Sequence, residues 1–382
     1  MTSSAIAGSY GWTDTLKTVY YGPGSMASAL PKLIAALGAK RALVVTGKSL
    51  HQKTDVVRKV EQVLKEHDAY GATFWEIGEH SPIAGIRKGV DEFKNSNADI
   101  IVAVGGGSPV DASKAILYFI QEERGGDYLK QIAIPTTLSA AEYTIGAGYT
   151  DESGNKVAVS NAALAPSGVI LDAELTLPTP ERLWLSTGMR AMDHAVESLY
   201  RPMVPPPLKA MCYAAIEDLF TYLPQSKADP QNIIVRQKLQ IASWMSLWPL
   251  KLEKYSPLGL SHSLGHKLGA RYSIGHGFTS CLTLAPTVHL MATIADQEDK
   301  ESLQKALRFI NKPSTGSLDG DVHVLADAIA QLVEDLGLKT TLTQHKVPRE
   351  DAATIAEKAV GGKDKPTAAI YQQVVKLVED LY

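Results

Sequence analysis

Apolar residues recur along this chain with two different periods, and the change from one to the other divides it. Arg41-Ala-Leu-Val-Val-Thr46 is apolar, β-branched and too short for a helix, so it reads as a strand. Asp55 to Lys65 then places its apolar residues three and four apart, the pattern of an amphipathic helix. Ala72 to Ile77 reads as a second strand, Ile83 to Asn95 as a second helix and Asp99 to Val104 as a third strand. Gln131 to Pro135 and Gly168 to Leu171 add two more strands, and Asp151-Glu-Ser-Gly-Asn155 offers a hairpin turn. Strands alternating with helices at this spacing predict a parallel sheet covered by helices. Ile100 to Val104, apolar on both faces, suits a central parallel strand. After Leu177-Pro-Thr-Pro180 the short runs stop. From Glu181 onward the chain reads as amphipathic helices separated by breaks such as Arg201-Pro-Met-Val-Pro-Pro-Pro207. The expected organisation is α/β plus all-α: a parallel-sheet domain over 1–178, then an all-helical domain over 179–382.

Composition narrows this picture modestly. A chain of 382 residues, 45% apolar and 21% charged, is ordinary for a globular enzyme with two cores. A net charge of −3 without a long basic run argues against a nucleic-acid partner. No stretch reaches the roughly 18 uninterrupted apolar residues of a membrane span. Met1 to Tyr10 lacks the basic start and apolar run of a signal peptide, and its Ala, Ser and Gly content predicts a loose tail. The two cysteines, Cys212 and Cys281, build no disulfide framework, so a reduced, cytoplasmic protein is expected.

Candidate chemistry falls into two groups. Val104-Gly-Gly-Gly-Ser-Pro-Val-Asp-Ala-Ser-Lys114 follows a strand and opens a helix. Gly105, Gly106 and Gly107 let the backbone turn sharply and bring its N–H groups to an anion, with Ser108 adding a hydroxyl and Pro109 suiting a helix start. The spacing is neither the Gly-x-Gly-x-x-Gly fingerprint nor a Walker loop. Thr136 and Thr137 lie at a second strand end, where open α/β sheets bind ligands. Thr46-Gly47-Lys48 ends the first strand with room and positive charge instead of a ribose-binding carboxylate, which favours NADP over NAD without excluding NAD.

The second group lies in the helical half. Thr187-Gly-Met-Arg-Ala-Met-Asp-His194 sets Arg190 four residues before His194 on a predicted helix. Gly259-Leu-Ser-His262-Ser-Leu-Gly-His266 comes later, with His276 ten residues further on. Three histidines and a helical i,i+4 position are the skeleton of a four-ligand metal site. A guanidinium, protonated and without a lone pair, cannot complete it. The plain structural reading of Arg190 is an ion pair with Asp193 or Glu197 on its own helix.

Taken in order, these segments resemble the iron-containing (group III) alcohol dehydrogenase family over nearly the full length. The resemblance rests on Tyr21-Gly-Pro-Gly-Ser25, Gly105 to Asp111, Pro135-Thr-Thr137, Val169 to Leu177, Gly188 to Tyr200 and Gly259 to His276. It implies a Rossmann-like N-terminal domain and a helical C-terminal domain, the dehydroquinate synthase-like fold of that group, with the active site in the cleft between them. It further implies a metal held by an aspartate and three histidines, which fall on Arg190, His194, His262 and His276, and a proton-transferring histidine, which falls on His266. Asp193, one helical position off, is expected to point away from the ligand face. Maleylacetate reductases, a branch that also lacks the aspartate, have a loop close in length to Thr136–Thr144, one residue shorter than the usual metal-dependent form, although Ala141 replaces a common serine and arginine is not their asparagine.

The resemblance and the residues together imply a metal-independent NAD(P)H-dependent reductase of a carboxylated carbonyl or ene-carbonyl compound, maleylacetate reductase-like. Arg190 would stabilise developing negative charge or hold a carboxylate, His266 would supply the proton, and His194, His262 and His276 would donate hydrogen bonds to substrate. Gly47, Lys48, Gly105, Gly106, Gly107, Ser108, Asp111, Thr136, Thr137, Ser139 and Lys156 would hold NADP or NAD, and no metal is expected. The alternatives are a metal-dependent alcohol or aldehyde dehydrogenase and a scaffold turned to lyase, isomerase or cyclase chemistry. An anionic small-molecule substrate and a homodimer complete the expectation.

Overall fold

The computed structural model describes residues 8–11, 15–78, 82–152, 156–202, 204–247, 257–361 and 369–382. The chain forms two compact units, one running to Thr179 and including Gln231–Ile241, the other comprising Pro180–Pro230 and Ala242–Tyr382.

In the first unit, strands β1 (Gly8–Gly11), β2 (Thr18–Tyr21), β3 (Ala42–Gly47), β4 (Tyr70–Ile77), β5 (Ile100–Gly105), β6 (Lys130–Pro135) and β9 (Gly168–Leu171) form one sheet in the order β1-β2-β9-β6-β5-β3-β4. Strands β7 (Gly146–Thr150) and β8 (Lys156–Ser160) form a separate antiparallel pair. The hairpin turn expected at Asp151–Asn155 lies partly outside the described residues. The main sheet is parallel except at one edge, where β1 runs antiparallel to β2. Gly8 to Tyr10, read from composition as part of a loose tail, therefore belong to an edge strand: backbone pairing with β2 overrides the weak strand propensity of Gly and Ser.

Helices α1 (Met26–Ala36), α2 (Lys48–Lys53), α3 (Val56–Glu66), α4 (Ile83–Asn95) and α5 (Gly107–Arg124) connect the strands. The strand residues are apolar on both faces because each face has its own core. Ala42, Val44, Ile100, Val102 and Val104 join the cluster that receives Val56, Val57, Val60, Val63 and Leu64 of α3. Leu43, Val45 and Ile101 join the cluster built from Ile86, Val90 and Phe93 of α4 and Ala112, Ala115 and Ile116 of α5. Burial of a Val or Leu side chain contributes about 1.5–3 kcal/mol, so these stripes fix which face each helix covers.

The second unit is built from α6 (Glu181–Leu199), α7 (Pro206–Ala228), the later part of α8 (Ile233–Leu247), α9 (Leu260–Tyr272), α10 (His276–Ile294), α11 (Gln297–Phe309), α12 (Leu318–Asp335), α13 (Ala352–Ala359) and α14 (Tyr371–Glu379). Helix α6 is central, and every residue from Trp184 to Leu199 is buried. Among the described residues only α10 is long and apolar enough to cross a membrane, and 67% of its apolar window is buried inside the protein, as in a core helix.

The start of α8 belongs to the first unit for a hydrogen-bonding reason. Arg236 donates to Thr176 O at 3.0 Å, Gln237 to Leu171 O at 3.0 Å and Gln240 to Pro135 O at 3.3 Å. Carbonyls of the last residues of β9 and β6, and of Thr176 beyond β9, thereby gain partners that buried backbone groups require.

In the loop after β6, Glu142 is buried near Lys114 of α5. Burial pushes its carboxyl up to about 7, against the opposing pull of its backbone hydrogen bond and of Lys114. The folded protein thus holds the Glu142 proton more tightly than the unfolded chain does. The resulting stability is fully present below about pH 4.5 and is lost as pH rises toward about 7, roughly 3 kcal/mol in all. Urea unfolding of wild type and Glu142→Gln between pH 5 and 8 tests this: wild type should lose stability relative to the variant, whereas parallel curves would show that the carboxyl is ionised throughout.

Candidate functional site

Two sets of side chains are brought together, each within one unit. In the first unit, neighbouring strands β3, β5 and β6 end in register, with Thr46 opposite Val104 and Gly105 opposite Pro135. The connection from β4 to β5 passes back across β3, so the strand order reverses here, the place where open α/β sheets take ligands. Gly47 with Lys48, Gly105 to Ser108, and Thr136 to Ser139 are thereby gathered at one end of the sheet.

The glycines have separate reasons to be there. Gly105 has φ 140°, a conformation side chains resist. A Cβ on Gly106 would come within 3.1 Å of Thr137 Cγ2. Gly106 caps α5 without any side-chain hydrogen bond, leaving the first N–H groups of an 18-residue helix to the loop's open side. Those features suit a pyrophosphate. Thr136 and Thr137 are buried, and Thr136 N–H donates to Gly105 O at 2.9 Å. The Thr137 hydroxyl donates to Ser139 Oγ at 3.1 Å. Asp111, with 30% of its side chain exposed, accepts from Lys114 at 3.1 Å. Lys48 is exposed at the start of α2, a turn away from His51, whose ring stacks on Trp75 at 5.4 Å. Lys156 opens β8, but its side chain lies outside the described residues.

In the second unit, α6, α9 and α10 place Arg190, His194, His262, His266 and His276 together. The rings of His194 and His262 are 4.7 Å apart, those of His262 and His266 6.4 Å, and those of His266 and His276 5.8 Å. Arg190 Nη2 lies 3.5 Å from His266 Nε2 and Arg190 Nη1 donates to Ser280 Oγ at 3.3 Å. The helices approach closely because Gly277 sits at the crossing of α10 with α6: a Cβ there would lie 2.5 Å from the Ser186 carbonyl carbon.

Asp193 does not point away from this cluster. Residues three apart share a helix face, and its carboxylate lies 3.6 Å from Arg190 Nη1 and 3.3 Å from His262 Nδ1. Ser280 bridges the pair, accepting from Arg190 and donating to Asp193 Oδ2 at 2.6 Å. Glu197, one turn further, reads in the sequence only as an ion-pair partner. Its carboxylate accepts from Gly259 N–H and Ser261 N–H at 2.7 Å each, from His262 Nδ1 at 2.8 Å and from the Tyr200 hydroxyl at 3.3 Å. It closes the start of α9 and fixes the His262 ring. The signal that exposes it is its spacing, seven residues after Arg190 and four after Asp193 on one face.

Electrostatics sort the histidines. Burial, assisted by the Arg190 charge, drives His266 down to about 3, so it is neutral and accepts from Arg190. Burial, with His262 and Arg190 beside it, also holds His194 well below its ordinary value, and among the described residues its Nδ1 has no hydrogen-bond partner. Burial and Arg190 push His262 down as well, but Asp193 and Glu197 outweigh them and its pKa ends raised. Asp193 and Glu197 thus favour a proton on His262, whereas burial disfavours one on His266, the donor that the resemblance implies.

The donor set implied for a metal by the resemblance does not fit, since Arg190 brings a cation and no lone pair. A different trio, Asp193, Glu197 and His262, offers ligand atoms within 4.8 Å of one another. Glu197 already accepts four hydrogen bonds, a full complement for a carboxylate, so a cation there would displace N–H donors.

A glycine loop at a parallel-sheet switch point, together with a buried histidine cluster on helices, defines an NAD(P)-dependent oxidoreductase scaffold. The chain belongs to the iron-containing alcohol dehydrogenase family: residues 17–173 match the family described as iron-containing alcohol dehydrogenase, and residues 184–382 its C-terminal family. It is 31% identical over 297 residues to maleylacetate reductase 1 of Cupriavidus pinatubonensis, covering 74% of this chain and 78% of that one. It is 27% identical over 361 residues to the NAD-dependent methanol dehydrogenase of Bacillus methanolicus, covering 90% and 93%. The solved structure of an alcohol dehydrogenase from Oenococcus oeni, 25% identical, superposes with a TM-score of 0.86 over 98% of this chain and 100% of that one.

Replacing Glu197 by Gln turns one acceptor oxygen into a donor facing N–H groups. The expected loss is about 2–4 kcal/mol of unfolding free energy, measured by urea denaturation. A loss under about 0.5 kcal/mol would show that Glu197 does not hold α9.

Proposed function

We propose that the protein reduces a carbonyl or ene-carbonyl compound bearing a carboxylate, using NADPH or NADH and no bound metal. The observation that carries this reading is Arg190, whose guanidinium stands inside the histidine cluster where the family resemblance places a metal ligand. When bound, the nicotinamide nucleotide supplies hydride. Arg190 supplies fixed positive charge toward a developing oxyanion or a substrate carboxylate, without a metal. Asp193 and Ser280 hold the guanidinium in place. His262, between the carboxylates of Glu197 and Asp193, would hold a proton, and His266 and His194 would donate or relay hydrogen bonds. Similarity to maleylacetate reductases supports the class of substrate. Gly47 and Lys48, where a carboxylate would repel a 2′-phosphate, favour NADP. Cys212 and Cys281, both free and buried, agree with a reduced cytoplasmic setting.

A second reading is favoured by the Asp193, Glu197 and His262 trio, which would support a metal-dependent alcohol dehydrogenase if a cation displaced the hydrogen bonds. Two measurements separate the readings. Protein purified without chelator should contain well under one equivalent of iron or zinc by elemental analysis. After EDTA treatment it should still oxidise NADPH or NADH with maleylacetate, and Arg190→Ala should lower kcat/KM at least about a hundredfold. One tightly held equivalent of metal, with activity lost on chelation and regained on reloading, would replace the first reading by the second.

A further inference from the structure

Away from the sites described above, α10 and α12 of the second unit pack together and bring two histidines into contact at the surface. His289 of α10 and His323 of α12 face one another, with Nδ1 2.8 Å from Nδ1 and ring centroids 5.1 Å apart. The other nitrogen of the His289 ring, Nε2, lies 3.1 Å from Asp327 Oδ1. His323 and Asp327 are four residues apart on α12, so they share one face, and the His289 ring spans the turn between them. His289 lies thirteen residues after His276 on α10, about 20 Å along the axis, so this cluster is separate from the buried one.

Asp327 settles where the hydrogens lie. A carboxylate accepts, so Nε2 of neutral His289 carries the hydrogen and its Nδ1 keeps a lone pair. His323 Nδ1 then donates to that lone pair. Burial lowers the pKa of His289, with Asp327 opposing the shift and His323 adding to it, so the lone pair is available at neutral pH. As a hydrogen bond alone, the contact would be a modest surface interaction. The same arrangement is also a half-built carboxylate–histidine–metal unit, in which a ligating imidazole donates its second N–H to an acid. Once the His323 hydrogen moves through solvent to Nε2, two lone pairs converge between the helices. Zinc–nitrogen bonds of about 2.0–2.1 Å in a tetrahedron place the nitrogens roughly 3.3 Å apart, a small opening for side chains at the surface. The backbones need not move for this. Val288 and Val322, the residues before each histidine, are wholly buried and hold both helices in place.

We propose that His289 and His323 form a surface site for a divalent transition-metal ion of the zinc class, bridging α10 and α12, with Asp327 orienting the His289 ring. Two neutral imidazoles select such ions over magnesium and calcium, which prefer oxygen ligands. Water completes the coordination shell. The bound ion ties α10 to α12 and stabilises the second unit, and it takes no part in the reduction. The inference is independent of the nucleotide and substrate readings.

The test titrates tag-free, EDTA-treated and dialysed protein with ZnCl2 by calorimetry at pH 7.5, with MgCl2 as the comparison ion. Wild type should bind zinc with a dissociation constant below about 100 µM and give no binding heat with magnesium. His289→Ala, His323→Ala and the double variant should each bind one equivalent of zinc fewer. Asp327→Asn should weaken that equivalent roughly tenfold, the effect of removing a ligand's carboxylate partner. His67→Ala, at an exposed histidine of the first unit, should leave the isotherm unchanged. Saturating zinc should raise the unfolding temperature of wild type more than that of the double variant. The replaced side chains lie at the surface, so the variants should match wild type in unfolding temperature without metal. Zinc held only by the buried histidine cluster would leave the stoichiometry of the double variant equal to that of wild type, and that result overturns the proposal. Zinc binding by wild type no tighter than about 100 µM overturns it equally.

Discussion

Charge neutralisation on the buried length of α6, Trp184 to Leu199, is the constraint on which the second unit depends. Helix α6 carries Arg190, Asp193, His194 and Glu197, all of them buried. Burying an unpaired charge costs several kcal/mol, so each must find a partner. Arg190 meets Asp193, Asp193 meets Ser280 and His262, and Glu197 takes the first N–H groups of α9 together with His262. These partners come from α9 and α10, which fixes how the three helices cross. The Gly277 contact with Ser186 permits the approach that the pairing demands. In the proposed reading, stability and chemistry share one network here. The groups that neutralise one another are those that would orient a substrate and hold its proton.

A comparable logic operates in the first unit on a different scaffold. Apolar strands with a core on each face make the sheet rigid, and its strand ends then become the place where loops of unusual backbone can be held. Gly105 and Ala140 both adopt positive φ there. A buried lysine bonded to the carbonyls of Ala141 and Gly146 ties the second loop to α5, and Glu142, its pKa raised by burial, lies buried in the same loop. The two units thus solve the same problem, polar groups in a dry interior, by cation-centred networks.

Arginine in place of a carboxylate ligand changes what such a scaffold can do. A divalent ion and a guanidinium both stabilise negative charge, but the guanidinium also donates in a planar fork that matches a carboxylate. Substrate choice would then shift toward acids, in keeping with the maleylacetate reductases among the relatives. Burial, with Arg190 beside it, lowers the pKa of His266, and two carboxylates raise that of His262.

The amino-acid order by itself determined a good deal. The short apolar runs from Ala42 to Gly47 and Ile100 to Gly105, and the three-and-four spacing of Val56 to Leu64, marked the sheet and its covering helices, because local patterning reflects backbone geometry directly. The glycine loop and the spacing of Arg190, His194, His262, His266 and His276 marked the chemistry, because residue types with lone pairs or fixed charge are few. Tertiary structure alone decided the rest. Gly8 to Tyr10 became a strand only through pairing with β2, and Gln231–Ile241 joined the first unit only through hydrogen bonds to carbonyls some sixty or more residues away in sequence. Asp193, expected to face away, and Glu197 became central because the angle at which α6, α9 and α10 cross is a packing outcome. No local pattern states which buried charges will meet.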